Sequence, residues 1–496
     1  MLVMPKTLTM KPRRLQDAQT PTASALLPAA SSSGFVPRRL RFAGALLAML
    51  ALPSCGDPST SDPTTKVMPT LTAVMPALGP TSGNVALTLT GSNFATGATV
   101  KIAGVAATLT GAGTEMQLSV TLPAQTDAFG RVPVLIQNPD GTSVERADLF
   151  SYYATTVDYK AGTTVSCGGM LPSAVVSGDW NGDGKTDLAV ANQGSKDIVV
   201  LTGDGKGGFA AAAPISTGGA SPGGLAVLDI DGDQKLDLAF IVNQGTEVSV
   251  MKGNGAGGFG VPVRTAAGMA TRSITVGDFN ADGKTDIAVA NDGKGASVLI
   301  NTGGALATAV SYTVGKQANG IVSGDFTNDG KLDLALSDGG QSKISLLPGL
   351  GDGKFGAAVS LTVPAATTQV VAGDFSGDGQ LDLALLRDTG AVVLLADGKG
   401  GFGAAKEYKG LTVPYVLGAQ DLNGDGKADL AMADITTYDV QLFPSSGDTF
   451  GTPKVIKAGN SPDALAFGDF DGDKRPDVVV ANQSSNDLSI ILNTSR

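Results

Sequence analysis

Seven times along this chain, aspartates recur with the spacing D-x-[D/N/S/T]-x-D-x-x-x-D, which crowds side-chain oxygens closely enough to hold a metal ion. Three clusters carry asparagine third: Asp179, Asn181, Asp183, Lys185 and Asp187; Asp278, Asn280, Asp282, Lys284 and Asp286; Asp421, Asn423, Asp425, Lys427 and Asp429. Two carry one more charge: Asp229, Asp231, Asp233, Lys235 and Asp237, and Asp469, Asp471, Asp473, Arg475 and Asp477. The remaining two place a hydroxyl third: Asp325, Thr327, Asp329, Lys331 and Asp333, and Asp374, Ser376, Asp378, Gln380 and Asp382. Positions 1, 3, 5 and 9 offer side-chain oxygens, and position 7 offers its backbone carbonyl. Ca²⁺ takes six to eight such oxygens in a flexible shell. The expected cofactor is therefore calcium, up to seven ions, with weaker sites at Thr327 and Ser376. Position 6 is glycine in five loops, which suits a sharp reversal of the chain. Gln234 and Lys474 replace it in the other two. A hairpin turn needs only two special residues, so turn formation alone does not account for aspartate at positions 1, 5 and 9 in every copy.

Composition excludes much else. The chain has 496 residues, a net charge of −11 and no histidine. Without histidine there is no His-based acid–base catalysis and no Ser-His-Asp arrangement. The acidity argues against nucleic acid as a partner. The seven clusters hold 23 of the 46 acidic residues, and seven divalent ions would bring −11 to about +3. Two cysteines, Cys55 and Cys167, cannot build a disulfide framework. Gly219-x-Ser221-x-Gly223 imitates a hydrolase elbow, but no histidine exists to complete it. Gly203-x-Gly205-x-x-Gly208 and its two copies imitate a dinucleotide fingerprint, but they precede strands rather than helices.

The elements that must position these loops are short β-strands. The clusters start 47 to 50 residues apart, a period that marks a repeat architecture. In the first unit, apolar runs at 173–177, 188–191 and 198–202 and a fourth near 213–216 read as four strands. Four antiparallel strands per repeat is the pattern of a propeller blade. Phe209, Phe259, Leu306, Phe355, Phe402 and Phe450 open the fourth strand in successive units, and the last unit lacks one. Tyr159 stands 20 residues before the first cluster, so residues 159–166 are expected to supply the missing strand and close the ring. The aspartate loop and the G-x-G-x-x-F segment recur together, and in this the repeats resemble the FG-GAP/VCBS family found in integrin-α propellers. That resemblance implies an all-β chain with a seven-bladed β-propeller over residues 154–496.

Residues 68–153 form a separate unit of about seven strands, expected as an immunoglobulin-like β-sandwich. Its Met75-Pro76, Gly79-Pro80, Thr90-Gly-Ser-Asn-Phe94, Asn138-Pro-Asp-Gly141 and Phe150-x-Tyr152 resemble an IPT/TIG domain. Residues 56–67 are polar and rich in Pro, Ser and Thr, as a tether is. Residues 1–55 read as a leader: Arg38, Arg39 and Arg41 precede an apolar run over 42–52. Leu52-Pro-Ser-Cys55 resembles the lipobox of bacterial lipoproteins, which implies lipidation of Cys55; a plain secretory leader is the alternative. The expectation is a non-enzymatic, exported, lipid-anchored and monomeric protein of a bacterial envelope. It would bind an envelope or extracellular protein or glycan in adhesion or assembly. A propeller lectin and a secreted polysaccharide-active enzyme are the alternatives.

Overall fold

The structure is a computed structural model, and it describes residues 66–495 except 127, 316, 340 and 448. The leader over 1–55, with its lipidation candidate Cys55, lies outside the described residues, as does nearly all of the 56–67 tether. Among the described residues there are strands and turns but no α-helix, and the chain is all-β.

Strand-forming patterns of period 2 build the N-terminal unit. In Ala86–Ser92 every second side chain is buried, which sets one face of the strand against a core. A seven-stranded sheet runs from Thr70–Met75 to Ser143–Arg146, and a three-stranded sheet joins Leu78–Pro80, Ser151–Tyr153 and Gly130–Arg131. Between them lies a core that includes Leu89, Ile102, Val120, Val134, Phe150 and Tyr152. Tyr152 meets the edge of Phe150 and donates its hydroxyl hydrogen to the Pro123 carbonyl, so its one polar atom is satisfied.

From Tyr159 onward the chain forms seven small antiparallel sheets, the blades, numbered here 1 to 7 by their aspartate loops. In blade 1 the strands are Pro172–Gly178, Asp187–Asn192 and Asp197–Gly203, with an outer edge of Phe209–Ala211 and Ile215–Ser216. The second strand is buried along its whole length, because a neighbouring blade covers each of its faces. That is why it reads as a continuous apolar run rather than an alternating one. The inner strands touch in order round the ring, and Pro462–Gly468 of blade 7 meets Pro172–Gly178 of blade 1. The strand Tyr159–Ser166 pairs with Asp487–Asn493, from Tyr159 opposite Asn493 to Ser166 opposite Asp487. The beginning of the propeller thus supplies the outer strand of its last blade and leaves no open ring edge.

Candidate metal centres

Each aspartate loop joins the inner strand of a blade to its second strand. The ninth-position aspartate is the first residue of that second strand, as Asp187 and Asp237 are. All seven ninth-position carboxylates are buried, at 0–1 % exposure. Each accepts at least two backbone hydrogen bonds, and Asp333 and Asp382 accept three. For Asp187 the donors are the N–H groups of Trp180 at 3.1 Å and Gly203 at 2.8 Å; for Asp477 they are those of Phe470 at 2.8 Å and Asn493 at 2.7 Å. The first-position carboxylate stitches the turn: Asp179 accepts from the N–H groups of Gly182, Asp183 and Gly184 at 2.7–3.1 Å. The same bond from the sixth residue reaches the first aspartate in all seven loops, at 2.8–2.9 Å.

The loop conformation follows from that stitching. The sixth residue is left-handed in every copy, including Gln234 at φ 65° and Lys474 at φ 71°. The fourth is left-handed too, and there Ala281 and Asn328 replace glycine in blades 3 and 4. The seventh-position N–H donates to one oxygen of the fifth-position carboxylate, as Lys185 does to Asp183 at 3.0 Å. Its side chain then closes on the other oxygen: Lys235 on Asp233 at 2.6 Å, Arg475 on Asp473 at 2.7 Å, Gln380 on Asp378 at 3.1 Å. The loop spacing alone gives position 7 only a backbone role. The signal for the ion pair was present, since lysine or arginine fills that position in six of the seven loops.

Donor geometry shows which loops suit a hard cation. In blade 2, one oxygen each from Asp229, Asp231 and Asp237 lies within 4.8 Å of the others; in blade 7, Asp469, Asp471 and Asp477 do the same. Opposite ligands of a Ca²⁺ shell stand about 4.6–5.2 Å apart, so three such oxygens fit round one ion. Among the described residues these two loops bring three carboxylates so close, because they alone have aspartate third. In the other five, asparagine or a hydroxyl takes that place. The fifth-position carboxylates do not join these triads; they turn toward the seventh-position side chain. Burial pushes the Asp429 and Asp477 carboxyls up to about 8, and the neighbouring loop carboxylates push the same way against their backbone hydrogen bonds. Asp421 is pushed up to about 6 by burial. Asp187, Asp237, Asp286, Asp333 and Asp382 are also raised, again chiefly by burial. A divalent ion is the charge that would compensate such buried carboxylates.

The second residue of each loop joins one blade to the next. Trp180 packs on Phe259 with ring centroids 5.4 Å apart, Phe279 on Phe355 at 5.5 Å, Phe375 on Phe450 at 5.7 Å and Phe470 on Phe209 at 5.5 Å. Ile230 with Leu306, Phe326 with Phe402 and Leu422 with Tyr159 complete the ring. The second residue's carbonyl also receives a donor from the next blade, as when Gly257 N–H reaches Trp180 O at 2.9 Å. Cys167 is buried at the edge of blade 1. The loops at 192–196, 218–223 and 411–415 lie at the opposite ends of the strands from the aspartate loops.

Sequence profiles agree with this architecture. The FG-GAP-like repeat matches residues 179–240, 229–289, 278–336, 325–385 and 421–480, and the IPT/TIG domain matches residues 69–152. No curated protein matches the chain by sequence. Among solved structures, BBS1N in complex with ARL6DN is 13 % identical, with a TM-score of 0.51 over 67 % of this chain and 96 % of that one. An auxiliary nutrient binding protein from Bacteroides thetaiotaomicron is 12 % identical, with a TM-score of 0.40 over 86 % and 98 % of the two chains. An Agrocybe aegerita lectin specific for non-reducing terminal N-acetylglucosamine is 18 % identical, with a TM-score of 0.43 over 72 % and 94 %. These likenesses concern the fold alone. With matched repeats over more than half its length, the chain belongs to the FG-GAP-like repeat family and carries an IPT/TIG domain before its seven-bladed propeller.

Proposed function

We propose that this protein is a calcium-stabilised, non-enzymatic β-propeller that binds a protein or glycan at a bacterial envelope, where a lipid on Cys55 anchors it. The observation that carries the reading is the convergence of Asp229, Asp231 and Asp237, and of Asp469, Asp471 and Asp477, in loops whose plan repeats in all seven blades. Calcium would be held by positions 1, 3 and 9 and the carbonyl of position 7, and it would supply the positive charge that the buried carboxylates lack. The remaining work of the loops belongs to the chain itself. They cap each blade and carry the second-position residue that touches the next one. Their even distribution round the ring supports a structural role for the ion rather than a catalytic one. Absence of histidine and commitment of the aspartates to the loops support a binding role.

Native mass spectrometry of the exported protein in calcium tests the metal, with up to seven ions expected. Palmitate labelling that disappears in Cys55→Ser tests the anchor. A screen of envelope polysaccharides and proteins in calcium tests the partner. Turnover of a polysaccharide would overturn the non-enzymatic reading, and a protein that carries no calcium would overturn the metal.

A further inference from the structure

The sandwich does not hang free of the propeller. It rests on the aspartate-loop face, on the loops of blades 6 and 7. The Ala154 N–H donates to the carbonyl of Asn423, the third residue of loop 6, at 2.7 Å. Phe129 sits on Gly424, the fourth residue; a Cβ there would lie 2.8 Å from its Cζ. The other face of the contact is Arg475, the seventh residue of loop 7, whose guanidinium lies 5.4 Å from the Phe129 ring centroid. Asp473 holds that guanidinium in place. Five loops have lysine at this position and one has glutamine, so the planar cation occurs where an aromatic ring of the sandwich meets it.

The seven-fold repeat supplies an internal control. The side chain of Asp425 is 14 % exposed, whereas its equivalents Asp183, Asp233, Asp282 and Asp329 are 33–42 % exposed. Loop 6 is thus covered where loops 1 to 4 are open. Every contact just named is made by loop atoms whose places depend on how the loop wraps its centre: the third-residue carbonyl, the left-handed fourth residue and the seventh-residue side chain.

We infer that loops 6 and 7 are a metal-linked latch: a cation bound in them and the docked sandwich stabilise each other. This rests on the calcium reading above. Linkage of this kind is reciprocal, so ion binding must tighten docking by the factor by which docking tightens ion binding.

Gly424→Asn separates the two events. Asn328 occupies the same loop position in blade 4 with φ 56°, so the loop accepts asparagine. In loop 6 the new side chain would displace Phe129. Gly182→Asn is the control, since a Cβ at Gly182 meets nothing closer than 3.9 Å. The measurements are hydrogen exchange of the full chain over residues 125–133 and 150–158, with and without calcium, and calcium titration of each variant. In the unmodified chain, calcium should slow exchange in both segments. Gly424→Asn should abolish that protection and raise the dissociation constant of two sites about tenfold, within the usual 5–150-fold of linked sites. The control should do neither. If Gly424→Asn frees both segments yet leaves every site's affinity unchanged, the latch is wrong. It is wrong too if calcium binds the unmodified chain without slowing exchange in either segment, and the calcium reading then survives. A chain that binds no calcium at all overturns both.

Discussion

Gln234 and Lys474 show how strongly the loop plan constrains single residues. Both adopt the left-handed backbone that glycine adopts in the other five loops, at a cost of about 1 kcal/mol each. Gln234→Gly and Lys474→Gly should each raise stability by about that amount in urea denaturation, with calcium held constant. Asp434, at the other end of the blade 6 strand, is a purely structural carboxylate. Burial would raise its pKa, but hydrogen bonds from Thr436, Val413 and Thr437 hold it at about 2. Its folded value lies below the usual 3.8, so its stabilisation is complete above about pH 4 and is lost as the pH falls toward 2. Asp434→Asn should cost about 1–3 kcal/mol at neutral pH and flatten the loss of stability between pH 4 and 2, as read by denaturation at each pH. The carboxylate positions of the loops were legible in the sequence because repetition singles them out. The left-handed fourth residue was not, since Ala281 and Asn328 hide the glycine pattern there.

At the scale of the element, a loop that looks like a metal hairpin is also the joint between blades. Its second residue packs on the phenylalanine of the next blade's G-x-G-x-x-F segment, or on the residue that replaces it. Phe375→Ala should therefore cost about 3–5 kcal/mol in denaturant unfolding and loosen blade 6 as well as blade 5. The sequence places that phenylalanine at the opening of the fourth strand. In four blades it instead forms an isolated bridge, such as Gly253 with Phe259, as Leu306 does with Asn301 in blade 3, and the regular strand begins later, at Val263 in blade 2. The physical reason lies between the two. Gly260 turns back to Lys252 O, and Pro262 has no N–H to give the ladder. The ring must point its phenylalanine inward while the outer strand runs along the surface. A pattern of residue types carries the ring's identity but not that change of direction.

At the scale of the whole molecule, the closing strand was legible because the repeat is out of phase with the chain: Tyr159–Ser166 precedes the first loop, and the last blade has no fourth strand of its own. The seating of the sandwich on loops 6 and 7 was not legible, because Phe129 and Ala154 reach the propeller through tertiary contacts that leave no period in the sequence. The central proposal is that metal balances the carboxylates of the seven loops. Thermal unfolding of the protein in calcium and in chelator tests this directly. A site occupied at a hundredfold excess over its dissociation constant contributes about 2.7 kcal/mol. Seven occupied loops should raise the melting temperature by more than about 10 °C, and the two with three convergent carboxylates alone by about 5–10 °C. An unchanged melting temperature would contradict the account and leave the aspartates as turn formers.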